Sequence, residues 1–237
     1  MIEKFYVFDV DGVLCDRGKT ITPDFKDFFL NWINDKKYYL VTGSPREKTI
    51  EQIGIEICEK ADISFHCLGN SIWTDGNETV INNFILHNDE EGILNQILEK
   101  SEFPYRTGNH INKRNGSYNF SIVGRNADIQ QRIEYINYDK LHMERYFIVK
   151  ELNRRCPRLE AFIGGDISID ICLKQANKSS IIDFLQHGFI YYFGDALFEY
   201  GVDYPVLQRL SYDLSHVSKV FNIVNSHNDT RKILEKL

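Results

Sequence analysis

The sequence predicts an α/β protein: a Rossmann-like parallel sheet at its core, with an inserted α+β segment carrying its own antiparallel sheet and helices. Three observations lead there. Short apolar runs at 5–8, 38–41 and 189–193 read as strands buried on both faces, each ending in small or acidic polar residues. Helix-period segments follow the first two of these strands, the alternation of a parallel α/β domain. Between residues 83 and 173 the pattern becomes hairpin-like, and then the parallel pattern returns. The expected organisation is a core of residues 1–82 and 174–237, with 83–173 inserted as a second domain.

The first strand stops at Asp9 and Asp11, one residue apart, and Gly12 lets the chain turn. Thr20 to Asp35 carries Phe25, Phe28, Phe29 and Ile33 at helical spacing, with Pro23 near its start. The second strand ends in Thr42-Gly43-Ser44, and Pro45 to Glu59 reads as one helix with Ile50, Ile53 and Ile57 on one side. Past Asn82, an amphipathic helix spans Asp89 to Glu99, and Asn115-Gly116 is a strong hairpin signal. Tyr118, Phe120 and Ile122 then alternate with Asn119, Ser121 and Val123. Asp128 to Arg154 reads as a long charged helix. From Ala161 to Cys172 the chain alternates again, with Ile167, Ile169 and Ile171 opposite Ser168 and Asp170. The third parallel strand runs into Gly194-Asp195, with Asp203 eight residues further on. Val220 to Val224 is a further strand, and Asp229 to Leu237 a closing helix capped by Asn228 or Asp229.

Composition narrows the function classes. A net charge of −6 argues against a general nucleic-acid or anionic-membrane surface, so an anionic substrate needs a local cluster of positive groups. No apolar run approaches the length of a membrane span, and Glu3, Lys4, Asp9 and Asp11 interrupt any leader-like stretch. Five cysteines without a Cys-x-x-Cys pair read as free thiols of a reducing cytoplasm; the seven histidines lack metal-site spacing.

Ligands of open α/β sheets bind beyond the carboxyl ends of the strands, where Asp9, Asp11, Thr42, Ser44 and Asp195 fall. The paired aspartates can hold a hard cation, or act as nucleophile and proton donor; Asp and Gly also simply end strands. Hydroxyls beside a glycine suit phosphate oxygens, although a capped loop looks much the same. Taken in order, Asp9-Val-Asp11-Gly12-Val13, the Thr42-Gly43-Ser44 tip, Lys178, and Gly194-Asp195 with Asp203 resemble the four motifs of the haloacid dehalogenase (HAD) superfamily of phosphoryl-transfer enzymes. The middle segment is more specific. Arg114-Asn115-Gly116, Val123-Gly124-Arg125, Gln131-Arg132-Ile133-Glu134 and Gly164-Gly165-Asp166-Ile167-Ser168-Ile169-Asp170 are similar to the cap domain of eukaryotic-type phosphomannomutases. Glu47-Lys48, Glu51-Gln52-Ile53-Gly54 and Asp229-Thr230-Arg231 agree with that family in the core, so the resemblance covers essentially the whole chain.

The resemblance implies an HAD core closed by an α+β cap that binds substrate. It implies interconversion of mannose 6-phosphate and mannose 1-phosphate, for GDP-mannose biosynthesis, through an aspartyl phosphate with Mg²⁺. In this reading Asp9 is the nucleophile, Asp11 the acid and base, and Ser44 and Lys178 hold the transferring phosphoryl. Asp9, the Asp11 carbonyl, Asp195 and Asp203 form the metal site. Arg114, Arg125 and Arg132 grip the other phosphate, and Ser168 and Asp170 the sugar hydroxyls. Alone, three arginines read first as solvated charges, and Arg125 and Arg132, two helical turns apart, share a direction only if their helix starts early enough. The ordered match to the family reverses that preference. A hexose 1,6-bisphosphate activator, a small-molecule sugar-phosphate partner, no nucleic acid or membrane partner, a cytoplasmic location and a homodimer through the cap complete the expectation. Four positions depart from the family pattern: Val13 replaces Thr, Thr42 a second glycine and Val202 an asparagine, and Arg17 arrives one place early. Thr42 and Val202 motivate one alternative on the same scaffold, a sugar-phosphate phosphatase whose acceptor is water; a non-catalytic binding protein that keeps only the fold is a third reading, against which the intact Asp9, Asp11, Lys178 and Asp195 set weighs.

Overall fold

Strand β1 (Lys4–Phe8) lies inside a seven-stranded sheet because both of its faces are apolar. In the computed structural model, which describes residues 2–185, 187–214, 216 and 218–237, Tyr6 and Phe8 pack on Phe25 and Phe29 of helix α1 (Pro23–Trp32). Phe5 and Val7 face the other way, into a second cluster with Ile181, Val206 and Leu210. Each such buried side chain contributes about 2–3 kcal/mol. Thr22 caps α1 by accepting from the Phe25 N–H, and Pro23 takes the position whose N–H is free anyway.

Next come β2 (Tyr38–Val41), α2 (Arg46–Ile53), α3 (Ile55–Lys60) and β3 (Ile63–His66). The single helix expected over 45–59 is two, because Gly54 adopts φ +86°, a conformation few other residues accept. Strand β3, then β4 (Ser71–Thr74) and β5 (Asn77–Val80), extend the sheet where no strands were expected.

The inserted stretch holds α4 (Asn88–Lys100), the hairpin β6 (Ile111–Arg114) and β7 (Ser117–Phe120), α5 (Ile129–His142), α6 (Glu144–Arg155), β8 (Leu159–Gly164) and β9 (Ser168–Leu173). The long helix expected over 128–154 breaks at Met143, whose φ is +53°, and the alternation over 161–172 is a hairpin of two strands. These four strands form an antiparallel sheet in the order β6-β7-β9-β8. Tyr118, Phe120, Ile169 and Ile171 cover one face against Leu94, Tyr135 and Leu152. The other face, carrying Asn119 and Asp170, looks onto the strand tips of the first sheet.

A short 3₁₀ stretch (Lys178–Phe184) leads into β10 (Phe189–Gly194), α7 (Tyr204–Tyr212), β11 (Ser218–Ile223) and α8 (His227–Leu234). The large sheet has the order β11-β10-β1-β2-β3-β4-β5, parallel from β11 to β3 and antiparallel beyond. Ser226 caps α8 by accepting from Asp229, so neither Asn228 nor Asp229 is the cap; both lie within its first turn.

Candidate active site

The tips of β1, β2 and β10 meet under the polar face of the smaller sheet, and one cleft between them is lined by Asp9, Asp11, Ser44, Lys178, Asp195, Arg114, Arg125, Ser168 and Asp170. Asp9 continues β1, its N–H donating to the Phe193 carbonyl of β10 at 2.9 Å. Its Oδ1 accepts from its neighbour's N–H, and its Oδ2 lies 2.9 Å from Lys178 Nζ. The chain then turns at Gly12, where φ is +78° and an alanine methyl would sit 1.9 Å from Asp195 Oδ2. Only glycine admits that approach of two strand tips.

Lys178 is wholly buried and bridges two carboxylates, reaching Asp203 Oδ1 at 2.8 Å as well as Asp9. Burial alone would lower its pKa; Asp203 and Asp9 overcome that and raise it, so the ammonium stays charged. Burial pushes Asp9 up, Lys178 pulls it back, and the Asp203 and Asp195 carboxylates push it up further. Burial likewise pushes Asp195 up to about 6, against the pull of Arg17. Asp11 behaves differently. Burial works to raise it, but Lys48, the Gly18 N–H and Gln52 together hold it below the ordinary carboxylate range.

Oxygens of Asp9, Asp195 and Asp203 lie within 4.8 Å of one another. Three mutually repelling carboxylates form the oxygen donor set that a hard divalent cation takes, and they fit Mg²⁺ by that chemistry. Asp203 is the most committed of the three: Oδ1 accepts from Lys178 and Tyr192, and Oδ2 from the Ala196 N–H. It therefore suits the role of a support for Lys178, leaving Asp9 and Asp195 the freer oxygens.

Ser44 sits in a turn formed by the Thr42 hydroxyl, which accepts the Ser44 N–H at 3.1 Å, and Lys48 donates to Ser44 Oγ from one helical turn on. Across the cleft, Arg114 Nη1 donates to the Gly43 carbonyl at 2.7 Å and to Asp170 Oδ1 at 3.2 Å. Asn119 donates to the same Asp170 oxygen and accepts from Arg125, giving a continuous polar chain. Burial, then repulsion by Arg114 and Arg132, lowers the pKa of Arg125, the signature of a pocket that welcomes an anion. Ser168 lines the cleft with its hydroxyl donating to the Gly164 carbonyl.

Arg132 stands apart from the others. Helix α5 starts only at Ile129, so Arg125 precedes it in a turn, and the two-turn spacing brings no common direction. Arg132 instead donates to the carbonyls of Ala127 and Arg125 and fastens that turn. Lys48, Asn119 and Gln52 are contributors that sequence patterning did not single out as site residues, although Lys48 lies four places from Ser44 at the start of a helix and Asn119 on the polar side of an alternating strand.

This fold and this cleft define a phosphotransferase of the haloacid dehalogenase type. The family model "Eukaryotic phosphomannomutase" matches residues 25–237. A phosphomannomutase of Arabidopsis thaliana is 31% identical over 211 residues, covering 85% of this chain and 86% of that protein. One from Saccharomyces cerevisiae is 30% identical over 252 residues, covering 99% and 94%. Among solved structures, the IMP-bound, N-terminally truncated IMP-nucleotidase of Plasmodium falciparum superposes with a TM-score of 0.65 at 15% identity, covering 98% of this chain and 67% of that one. The chain belongs to the eukaryotic phosphomannomutase family.

Proposed function

We propose that the protein interconverts mannose 6-phosphate and mannose 1-phosphate by phosphoryl transfer through Asp9, with residues 1–82 and 174–237 as catalytic core and 83–173 as substrate-binding cap. The observation that carries this reading is the pairing, across one cleft, of the Asp9/Lys178 tip with the Arg114–Asp170–Asn119–Arg125 chain. A transferring phosphoryl and a second, non-reacting phosphate each find cations at opposite ends of the cleft.

A Mg²⁺ ion held by Asp9 and Asp195, with the Asp11 carbonyl and Asp203 at its margin, would supply charge neutralisation at the transferring phosphoryl group. Asp9 Oδ attacks phosphorus of a hexose 1,6-bisphosphate, the activator, and the bond from phosphorus to the sugar oxygen breaks. Asp11 protonates that oxygen and, in the return half, takes the proton from the attacking sugar hydroxyl. The second half suits it best, since Lys48, Gln52 and the Gly18 N–H keep it ionised. Ser44 and Lys178 hold the phosphoryl in flight. Arg114 and Arg125 hold the other phosphate, with Arg132 fixing the turn beneath Arg125, and Ser168 and Asp170 meet sugar hydroxyls. A cytoplasmic location fits five buried free cysteines. A homodimer through the cap fits the exposed Ile129, Leu141, Met143 and Phe147 on α5, α6 and their junction.

The test supplies mannose 6-phosphate, Mg²⁺ and a trace of bisphosphate, and follows mannose 1-phosphate against free phosphate. Isomer is expected to outrun phosphate. Phosphate release without isomer at any bisphosphate level would replace the mutase by the phosphatase. Asp9→Asn is expected to lower turnover by on the order of 10⁴-fold or more while the fold persists.

A further inference from the structure

Arg17 has a place in the cleft that the reaction above does not use. Its Nε donates to Asp195 Oδ2 at 2.6 Å, while its Nη1 donates to the Gly165 carbonyl at 3.1 Å and lies 3.4 Å from Asp166 Oδ1. One guanidinium thus joins a carboxylate of the cation site to the β8–β9 turn of the smaller sheet. We infer that Arg17 is a positioning residue that couples cation coordination at Asp195 to the closeness of cap and core. The inference rests on the preceding reading only in taking a divalent cation to bind at the aspartate cluster.

The sign follows from charge. A guanidinium on Asp195 neutralises part of the negative field that attracts a dication and repels the dication directly. Coupling is reciprocal, so a cation on the cluster weakens the hold of Arg17 on Asp195 and, through it, on the turn at Gly165. Asp195 lies so close to Gly12 that no Cβ fits between them, which narrows the room its carboxylate has on that side. The mobile partner is Arg17. Within the smaller sheet the turn keeps its own support, since Arg145 Nη1 donates to the same Gly165 carbonyl at 2.9 Å and pairs with Asp139. Releasing Arg17 therefore leaves the turn folded and removes one of the ties between cap and core, beside those of Arg114 to the Gly43 carbonyl and Ile163 to the Tyr200 carbonyl, so the cap separates from the core more often.

A natural reporter exists. The Ile163 N–H on edge strand β8 donates to the Tyr200 carbonyl of the core at 2.7 Å, so its hydrogen exchange reads the separation of the two parts. The experiment uses the full chain as wild type, Arg17→Ala and Arg17→Lys, with Mg²⁺ titrated calorimetrically and exchange at Ile163 measured with and without Mg²⁺. In the wild type, Mg²⁺ is expected to speed Ile163 exchange several-fold. Arg17→Ala should bind Mg²⁺ about tenfold more tightly and exchange fast at Ile163 whether or not Mg²⁺ is added. Arg17→Lys keeps the charge without the span, so its Mg²⁺ affinity stays near wild type while Ile163 exchanges as in Arg17→Ala. Unchanged exchange in β1 and β10 shows that the variants are folded. Equal or weaker Mg²⁺ binding by Arg17→Ala, or wild-type exchange at Ile163 indifferent to Mg²⁺, overturns the coupling. A wild type that shifts as described but makes no isomer removes the mutase and leaves the coupling standing; isomer without the shift does the reverse.

Discussion

A fully buried ammonium survives at Lys178 because Asp9 and Asp203 flank it and Tyr192 holds the Asp203 oxygen in place. Removing the Asp203 charge leaves Lys178 with Asp9 as its counter-ion, but it disturbs the buried bonds that Asp203 accepts from Lys178, Tyr192 and the Ala196 N–H. Asp203→Asn is therefore expected to cost about 1–3 kcal/mol, read from the midpoint of urea unfolding at unchanged slope. Asp183, paired with Arg209 on the surface, is the contrast: Asp183→Asn should cost less than about 1 kcal/mol in the same measurement. Lys178 and Asp203 were read through the ordered resemblance to the family's motifs, while Asp9, Asp11 and Asp195 were legible at the ends of apolar strands, where a parallel sheet gathers its chemistry. Arg132 and Arg17 were not. Which way an arginine reaches depends on where its helix begins and which carbonyls lie near it, and spacing alone carries neither.

At the level of elements, the breaks were harder to read than the elements. Helices α5 and α6 carry no proline or glycine at their junction; the turn is made by Met143 in a left-handed conformation that costs a side chain roughly 1–2 kcal/mol. Within a single chain Met143 is half exposed, so little internal packing is lost on truncation. Met143→Gly is expected to raise stability by up to about 1 kcal/mol, the relief of strain exceeding the extra freedom gained by the unfolded chain. A calorimetric melting temperature at or below that of the wild type would show that the strain is absent. Strands β3 to β5 escaped notice for another reason. Strand β3 alternates Ile63-Ser64-Phe65-His66 over only four residues, with its polar members buried as deeply as Phe65, and β5 is exposed along its length, so the signal is too short in one and missing in the other.

For the molecule as a whole, His66 ties stability to pH. Burial, and then Arg46, drive its pKa down to about 3, and its ring nitrogens meet the Thr49 and Ser64 hydroxyls. A folded value below the ordinary 6.5 means the unfolded chain takes up the proton first, so this contribution is intact above pH 6.5 and is lost as pH falls toward 3. Between pH 7.5 and 5 the loss is about 2 kcal/mol. Asp195, raised to about 6, works the opposite way in the same window, so the comparison of variants isolates the histidine. Wild type should lose about 2 kcal/mol more than His66→Gln over that range in denaturant melts. Parallel loss in both proteins would place the sensitivity elsewhere.

The central position of β1 has a consequence for how the chain comes into being. Tyr6 finds Tyr38 early in synthesis, but its other flank waits for Tyr191, which leaves the ribosome much later. Through most of translation a greasy strand therefore shows a row of unsatisfied amides, the template from which intermolecular pairing starts. The four strands between residues 111 and 173 close on one another with no such delay, so the nascent polypeptide can finish its middle before its beginning.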